Sequence, residues 1–314
     1  MNNIKIALIG GGGFIGTNLA NYFTEKLFNV KIISKNPINI KNFINKEIEE
    51  INLDVNRTDD LINSLQDCQI IVWLVNELVP SSTMNSVVDD FNFSTSSLIH
   101  FLEKSGNLKS LQRFIYLSSG GTIYGDSQHN EDFAEISLKA PISAYGLSKR
   151  ISEQYIEYFS RKVNYKCFVL RPSNVYGKFQ NMNRMQGIIG FAFNSILKNK
   201  TIDLFGGGKV YRDFIYVEDL ATAIFAVILK SYPTQIIETY NIASQKPTAI
   251  FEVLHLIENV TNQKLNINHK PARPFDCTYN VLDISKITAD TQWQPQTNLS
   301  EGLQIVWDWL KMEA

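Results

Sequence analysis

The 314-residue sequence predicts an α/β fold in which a doubly wound parallel sheet carries a smaller C-terminal lobe. A short apolar run at residues 4–9 ends in glycines and leads directly into an amphipathic segment. Further strand-like segments, separated by helix-length stretches, lie at residues 30–34, 48–53, 69–75 and 113–119. Strands buried in a parallel sheet are typically short and apolar, and their alternation with helices is typical of this fold class.

The glycine-rich loop after the first strand carries the first functional signal. Gly10, Gly13 and Gly16 let the backbone turn sharply, bring amide N–H groups close to a diphosphate and pack the next helix against the strand. The N-terminus of that helix favours an anion. A glycine-rich turn without a ligand has the same spacing, but the position between the first strand and a helix favours dinucleotide binding.

Composition argues against several classes of function. A net charge of −1 and a hydrophobic content of 44% indicate no nucleic-acid partner. Cys68, Cys167 and Cys277 lie far apart and lack the spacing of metal ligands, so we expect neither a metal site nor a disulfide framework. The sequence shows no leader-like segment and no run long enough to cross a bilayer. We therefore expect a cytoplasmic protein without a membrane partner.

Two chemically active residues, Tyr145 and Lys149, lie four residues apart in a predicted helix. A helix places such a pair on one face. Removal of hydride from a carbinol carbon requires loss of the hydroxyl proton, and a phenol beside an ammonium can take that proton. Chance pairs with this spacing are common, but the glycine loop and the serine-rich strand end that precede this one favour a catalytic pair.

The order of these motifs resembles the extended short-chain dehydrogenase/reductases that act on nucleotide sugars, in the NAD-dependent epimerase/dehydratase family. Within that family the sequence is similar to UDP-glucose 4-epimerase and its relatives. The resemblance covers essentially the whole chain and includes the later segments 171–177, 211–219 and 272–276. It implies a Rossmann-type dinucleotide-binding domain, formed by residues 1–173 and 210–242. It also implies a nucleotide-sugar-binding lobe, formed by residues 174–209 and 243–314.

The resemblance also implies the residues that contact NAD or NADP, namely Gly10, Gly13, Phe14, Ile15, Gly16, Ser34, Lys35, Asp54, Val55, Leu74, Tyr145 and Lys149. NAD-preferring members carry an acid at the position of Ser34, where it binds the ribose hydroxyls. Here no acid repels a 2′-phosphate and Lys35 follows, so NADP stays open, as does a solvated loop position for Lys35. Asp54 either contacts the adenine amino group or caps the next helix.

For the substrate, the resemblance implies that Asn174, Arg212 and Arg273 contact the diphosphate of a UDP- or dTDP-hexose. A guanidinium suits that task because it forms two charge-assisted hydrogen bonds with one phosphate. Surface ion pairs are the alternative role for the two arginines. The resemblance further implies a homodimer through the helices that contain Leu98 and Tyr155.

The segment after the fifth strand departs from the family pattern at two points. In the family, a residue with a hydroxyl group usually assists the catalytic tyrosine through a hydrogen bond. The corresponding position in this chain is Gly120, so Ser119 or Thr122 must supply that hydrogen bond, and we favour Thr122. The 4,6-dehydratases of the family carry an Asp-Glu pair where this chain has Gly121 and Thr122. Acid-assisted elimination is therefore disfavoured.

These features predict an enzyme, a nucleotide-sugar 4-epimerase of the UDP-glucose/UDP-galactose type that oxidises C4 transiently. The missing acid at Ser34 keeps a second activity open, the NADPH-dependent reduction of a 4-keto-6-deoxy nucleotide sugar. A non-catalytic dinucleotide sensor is the alternative from another class. A sensor would need neither Tyr145 and Lys149 nor the two arginines.

Overall fold

A computed structural model of the protein describes residues 4–43, 48–75, 88, 91–127, 129–182, 187–233, 237–273 and 277–313. Its strands are β1 Lys5–Ile9, β2 Asn29–Ser34, β3 Glu49–Asn52, β4 Ile70–Trp73, β5 Arg113–Leu117, β6 Lys166–Pro172, β7 Asn174–Tyr176, β8 Thr201–Phe205, β9 Tyr211–Arg212, β10 Phe214–Tyr216, β11 Ile237–Ile242, β12 Thr248–Ala249, β13 Asn266–Lys270 and β14 Tyr279–Asn280. Its α-helices are α1 Phe14–Glu25, α2 Thr58–Ser64, α3 Ser97–Lys104, α4 Gly120–Ile123, α5 Ala144–Ser160, α6 Ile188–Lys198, α7 Val217–Leu229, α8 Ile250–Thr261, α9 Ser285–Thr291 and α10 Leu299–Glu313.

The largest sheet among the described residues has seven strands in the order β11-β6-β5-β4-β1-β2-β3. Every neighbouring pair in it is parallel. Counted from the β3 edge, the order 3-2-1-4-5-6 is that of the doubly wound dinucleotide-binding fold, and β11 extends it by one strand. The predicted fold class is confirmed.

Helices cover both faces of this sheet. Ile6 and Leu8 of β1 belong to one apolar cluster, which includes residues of α1 and α7. Ala7 and Ile9 belong to a second cluster on the other face, with residues of α2, α3 and α5. Burial of both faces explains why β1 is a continuous apolar run and not an alternating one.

Smaller groups of strands lie beyond the large sheet. β7 pairs with β10, β8 pairs with β13, and β9 lies between β12 and β14. Residues of α6, α8 and α10 join β8 and β10 in a third apolar cluster, in which the Phe193 and Trp307 rings stack 5.9 Å apart. The predicted division of the chain into two domains stays a prediction.

A search of the described residues finds no helix that is both long and apolar enough to cross a membrane. In the same part of the chain, no group of three or more His, Cys, Asp and Glu side chains could hold a metal ion.

Candidate active site

The glycine-rich loop lies at the carboxyl end of β1, against the ends of β2 and β4. Gly10 has a φ of 80°, and its N–H donates to the carbonyl oxygen of Ile33 at 2.8 Å. A Cβ on Gly10 would lie 3.1 Å from the backbone nitrogen of Val75, so glycine suits this crossing both sterically and conformationally. The helix α1 begins at Phe14, directly after Gly13, and its first N–H groups lie at this edge of the sheet.

Other residues of the predicted cofactor site line the same edge. Gly16 packs directly on the backbone of the glycine loop. Phe14 packs against the third apolar cluster and Ile15 against the first. Leu74 follows β4, and Val55 packs against the second cluster. This backbone cradle at a helix N-terminus fits the diphosphate of a dinucleotide.

The residues predicted to contact the adenosine lie at the ends of β2 and β3. Ser34 Oγ is 2.8 Å from the place that a Cβ on Gly12 would take, so this hydroxyl faces the glycine loop. Lys35 Nζ lies 3.3 Å from Asp54 Oδ2, which forms an ion pair. A hydrogen bond from the Asn56 N–H, together with Lys35, lowers the pKa of Asp54. Asp54 therefore lies in a turn ahead of α2, which begins four residues later, and does not cap that helix.

The predicted catalytic pair lies at the carboxyl end of β5. Ser143 caps α5 by accepting a hydrogen bond from the Gly146 N–H at 3.1 Å, which places Tyr145 in the first turn. Lys149 is buried, and its Nζ donates to the carbonyl oxygen of Leu117 at 2.9 Å. The same Nζ lies 5.7 Å from the centre of the Tyr145 ring. The structure thus brings the two residues together at the edge that carries the glycine loop.

The turn after β5 leaves no room for a side chain at position 120, where the family usually carries a hydroxyl residue. A Cβ on Gly120 would overlap Leu282 Cδ1 and lie 3.0 Å from the carbonyl oxygen of Arg171, so a side chain here would point into the core. Thr122 lies beside the catalytic helix, because its carbonyl oxygen is 2.7 Å from the Cβ position of Gly146. The Oγ1 of Thr122 is buried and has no hydrogen-bond partner in the described part of the chain.

Ser119 and Asn174 flank the same turn. Ser119 is half-buried and directly precedes α4. A Cβ on Gly121 would lie 3.6 Å from Asn174 Oδ1, so Asn174 borders the catalytic turn. Asn174 is held in place because its N–H and Nδ2 donate to the carbonyl oxygen of Asp213 at 3.0 and 2.8 Å.

The two predicted diphosphate-binding arginines lie outside the large sheet, in different segments of the chain. Arg212 is in β9, and its Nη1 donates to the carbonyl oxygen of Tyr211 at 2.8 Å. Arg273 follows β13 and is exposed, with its guanidinium carbon 4.2 Å from the centre of the Phe205 ring. Residues 274–276 of the same motif lie outside the described residues. The diphosphate role of both arginines stays a prediction.

A buried polar network beneath the catalytic turn was not anticipated from the sequence motifs. The Glu153 carboxylate accepts hydrogen bonds from Arg171 Nε at 2.9 Å, Arg171 Nη2 at 2.6 Å and Ser118 Oγ at 2.6 Å. Arg171 Nη1 donates to the Tyr124 hydroxyl at 2.8 Å, which donates to Asn241 Oδ1 at 2.7 Å. Burial alone would lower the pKa of Arg171, but the bond with Glu153 raises it above its usual value. The Arg171 guanidinium therefore stays charged.

The fold, the glycine loop and the Tyr145–Lys149 pair are those of the dinucleotide-dependent short-chain dehydrogenase/reductase class. The chain belongs to the NAD dependent epimerase/dehydratase family, whose model matches residues 6–243. The predicted family and the prediction that the protein is an enzyme are confirmed.

Several proteins similar to this chain are named for reactions on nucleotide sugars. A Methanocaldococcus jannaschii protein named "Putative UDP-glucose 4-epimerase" is 29% identical over 308 residues, which cover 98% of each chain. An Escherichia coli dTDP-4-dehydro-6-deoxyglucose reductase is 26% identical, and 95% of each chain is covered. Among solved structures, the UDP-glucose 4-epimerase of Thermotoga maritima with UDP-glucose matches with a TM-score of 0.90, at 25% identity and over 99% of each chain.

Proposed function

We propose that the protein is an NAD-dependent nucleotide-sugar 4-epimerase that interconverts UDP-glucose and UDP-galactose. The observation that carries this proposal is the turn after β5, where Thr122 lies beside the helix of Tyr145 and no residue from 119 to 123 is a carboxylate. A 4-epimerase must only remove and return the C4 hydroxyl proton, whereas a dehydratase also needs an acid to expel a hydroxyl group. The similarity to two proteins named as UDP-glucose 4-epimerases supports the same reaction.

In this proposal each group of the site has one task. NAD, when bound, supplies the acceptor and donor of hydride. The glycine loop and the N-terminus of α1 hold the cofactor diphosphate, and Lys149 favours the ionised form of Tyr145. Tyr145 takes the C4 hydroxyl proton and returns it after the 4-keto sugar has presented its other face. The Thr122 hydroxyl supports this transfer through a hydrogen bond.

Three residues outside the large sheet bind the substrate in this proposal. Asn174 borders the catalytic turn, so it contacts the part of the diphosphate nearest the sugar. Arg212 and Arg273 supply the cationic charge, and guanidinium groups pair well with phosphate oxygens. The same chemistry accepts a dTDP-hexose, so the test includes both nucleotides.

The proposal is tested with UDP-glucose that carries deuterium at C4. We expect the purified protein with NAD to form UDP-galactose that retains the label, observed by proton NMR, without net reduction of NAD. A 4-epimerase returns the hydride that it removes, and this explains the retention. Stoichiometric NADPH consumption with a 4-keto-6-deoxy sugar nucleotide, and no epimerisation, would replace the proposal by a reductase. Binding of dinucleotide without turnover of either substrate would leave the non-catalytic dinucleotide sensor as the remaining candidate function.

The reductase is the second candidate because Ser34 supplies no carboxylate against a 2′-phosphate and one similar protein is a reductase. The structure weakens that case, since Lys35 pairs with Asp54. We expect Lys35→Ala to change the ratio of NAD to NADP affinity by less than about threefold, because an exposed ion pair contributes little. Ser34→Asp should shift the ratio further toward NAD by charge repulsion of a 2′-phosphate.

Both cofactors are titrated by calorimetry at one ionic strength, because salt screens exposed charges. Lys104→Ala is the matched control, since Lys104 forms an exposed ion pair with Asp59 in another part of the chain. A strong preference for NADP in the wild type, lost in Lys35→Ala but kept in the control, would contradict the assignment of NAD.

Thr122 is tested by an isosteric change that removes only the hydroxyl group. Thr122→Val should lower kcat by about 10²-fold, because a hydrogen bond to the reacting group is lost in the transition state. Ser119→Ala is the control and should leave kcat within about threefold, because in this proposal the Ser119 hydroxyl forms no hydrogen bond to the reacting group. The reverse pattern in steady-state kinetics would assign the hydroxyl to Ser119.

A homodimer through α3 and α5 is also part of the proposal. Leu147, Tyr155 and Tyr158 lie on one face of α5 and are between 37% and 51% exposed, which leaves an apolar stripe for a second copy. Sedimentation velocity should give the mass of two chains. Tyr158→Glu should shift it toward one chain, and a monomeric wild type would remove this part of the proposal.

A further inference from the structure

The carboxylate of Asp213 is fully buried and accepts four hydrogen bonds. Ser173 Oγ donates to it at 3.0 Å, the N–H and Oγ of Ser244 each donate at 2.9 Å, and the Gln245 N–H donates at 2.9 Å. All four donors are neutral. Burial outweighs them and raises the pKa of Asp213 to about 6. The four hydrogen bonds offset part of the cost of burying the carboxylate, and they come from separate segments of the chain.

The donors to Asp213 come from junctions between strands. Ser173 joins β6 to β7, Asp213 itself joins β9 to β10, and Ser244 and Gln245 lie between β11 and β12. Two of these junctions leave the large sheet, and the third links two small sheets. Gln245 has a φ of 56°, an uncommon backbone conformation for a residue with a side chain. The carboxylate therefore fixes three junctions relative to one another at a single point.

Asp213 also determines where two residues of the proposed substrate site lie. Its carbonyl oxygen accepts two hydrogen bonds from Asn174, one from the backbone N–H and one from Nδ2, and the second fixes the side-chain amide. Arg212 directly precedes it, in a strand whose backbone pairs with Thr248 on one side and Asn280 on the other. A shift of residue 213 would thus displace the Asn174 amide and the start of the Arg212 side chain together.

We propose that Asp213 is a positioning residue, whose carboxylate locks the three junctions so that Asn174 and Arg212 face one nucleoside diphosphate together. This inference rests on the diphosphate site of the proposed function and does not depend on which sugar is epimerised. The cofactor cradle is built on the ends of β1, β2 and β4, which are not among these junctions. Loss of the carboxylate should therefore weaken nucleoside-diphosphate binding and leave dinucleotide binding intact.

The test compares two buried aspartates of the same motif. Asp219 is 4% exposed and accepts hydrogen bonds from the N–H groups of Gln296 and Thr297, so Asp219→Asn is the matched control for loss of a buried carboxylate. UDP, dTDP and NAD are titrated into the wild type, Asp213→Asn and Asp219→Asn by calorimetry. We expect the Kd for UDP to rise by at least about tenfold in Asp213→Asn and by less than threefold in the control, with the Kd for NAD unchanged in both.

Four results would overturn the inference. The first is that Asp213→Asn binds UDP no more weakly than the control does. The second is that Asp213→Asn loses UDP affinity and NAD affinity equally. If Asp213→Asn does not fold, Ser173→Ala and Ser244→Ala each remove one donor, and an unchanged Kd for UDP in both would decide against it. A wild type that binds NAD but neither UDP nor dTDP would remove the proposed substrate class and the inference with it, whereas the first three results leave that class intact.

Discussion

Replacement of Tyr145 by phenylalanine is expected to lower kcat by about 10³-fold, because the variant keeps the ring but loses the group that accepts the C4 hydroxyl proton. The structure places Lys149 Nζ 5.7 Å from the ring of Tyr145 and anchors it on the carbonyl oxygen of Leu117. That anchor does not involve the phenol, so the lysine should keep its place in the variant. Binding of NAD and of UDP should therefore survive.

Steady-state kinetics with UDP-glucose and calorimetry with NAD and UDP check this expectation. Tyr155→Phe is the matched control, since Tyr155 lies on the same helix, is 37% exposed and has no part in the proposed chemistry. Turnover by Tyr145→Phe within tenfold of the wild type would reject Tyr145 as the proton acceptor. Loss of NAD binding together with turnover would show that the substitution disturbs the cradle, and the kinetic loss could then not be assigned to proton transfer.

The parts of the fold and the site that follow local rules were predictable from the sequence. The strand β1, the glycine loop and the start of α1 follow from a short apolar run, close-packed glycines and a helix N-terminus, all within about ten residues. Tyr145 and Lys149 meet because a helix repeats every 3.6 residues. Each of these signals is contained in one segment, so one segment suffices to predict it.

The parts that depend on distant segments were not predictable. Gly120 is excluded as a catalytic position by Leu282, which lies more than a hundred residues away along the chain. The sequence leaves Lys35 open as a partner for a 2′-phosphate or a solvated lysine, and it does not indicate the ion pair with Asp54 that the structure shows between the ends of two parallel strands. Asp213 lies inside a recognised motif, but its four donors come from two other strand junctions. Sequence spacing carries no information about such contacts.

The buried pair of Glu153 and Arg171 should give the largest stability change. Both side chains are less than 10% exposed, and two hydrogen bonds join them, at 2.9 and 2.6 Å. Glu153→Gln keeps the shape but leaves the Arg171 guanidinium without its counter-charge, and breaking a buried pair in this manner costs about 3 to 5 kcal/mol. We expect that loss in the free energy of unfolding, measured by urea denaturation with circular dichroism.

The helix α5 offers a control one turn away from this pair. Glu157 pairs with Arg161 at 2.9 Å, but both side chains are more than half exposed, so Glu157→Gln should cost less than about 0.5 kcal/mol. The double variant Glu153→Gln/Arg171→Met removes both buried charges and should cost less than the sum of its single changes, because no unpaired ion remains. If Glu153→Gln proves no more costly than Glu157→Gln, the buried pair between α5 and β6 contributes no more to stability than an exposed one, and the expected penalty for an unpaired Arg171 is wrong.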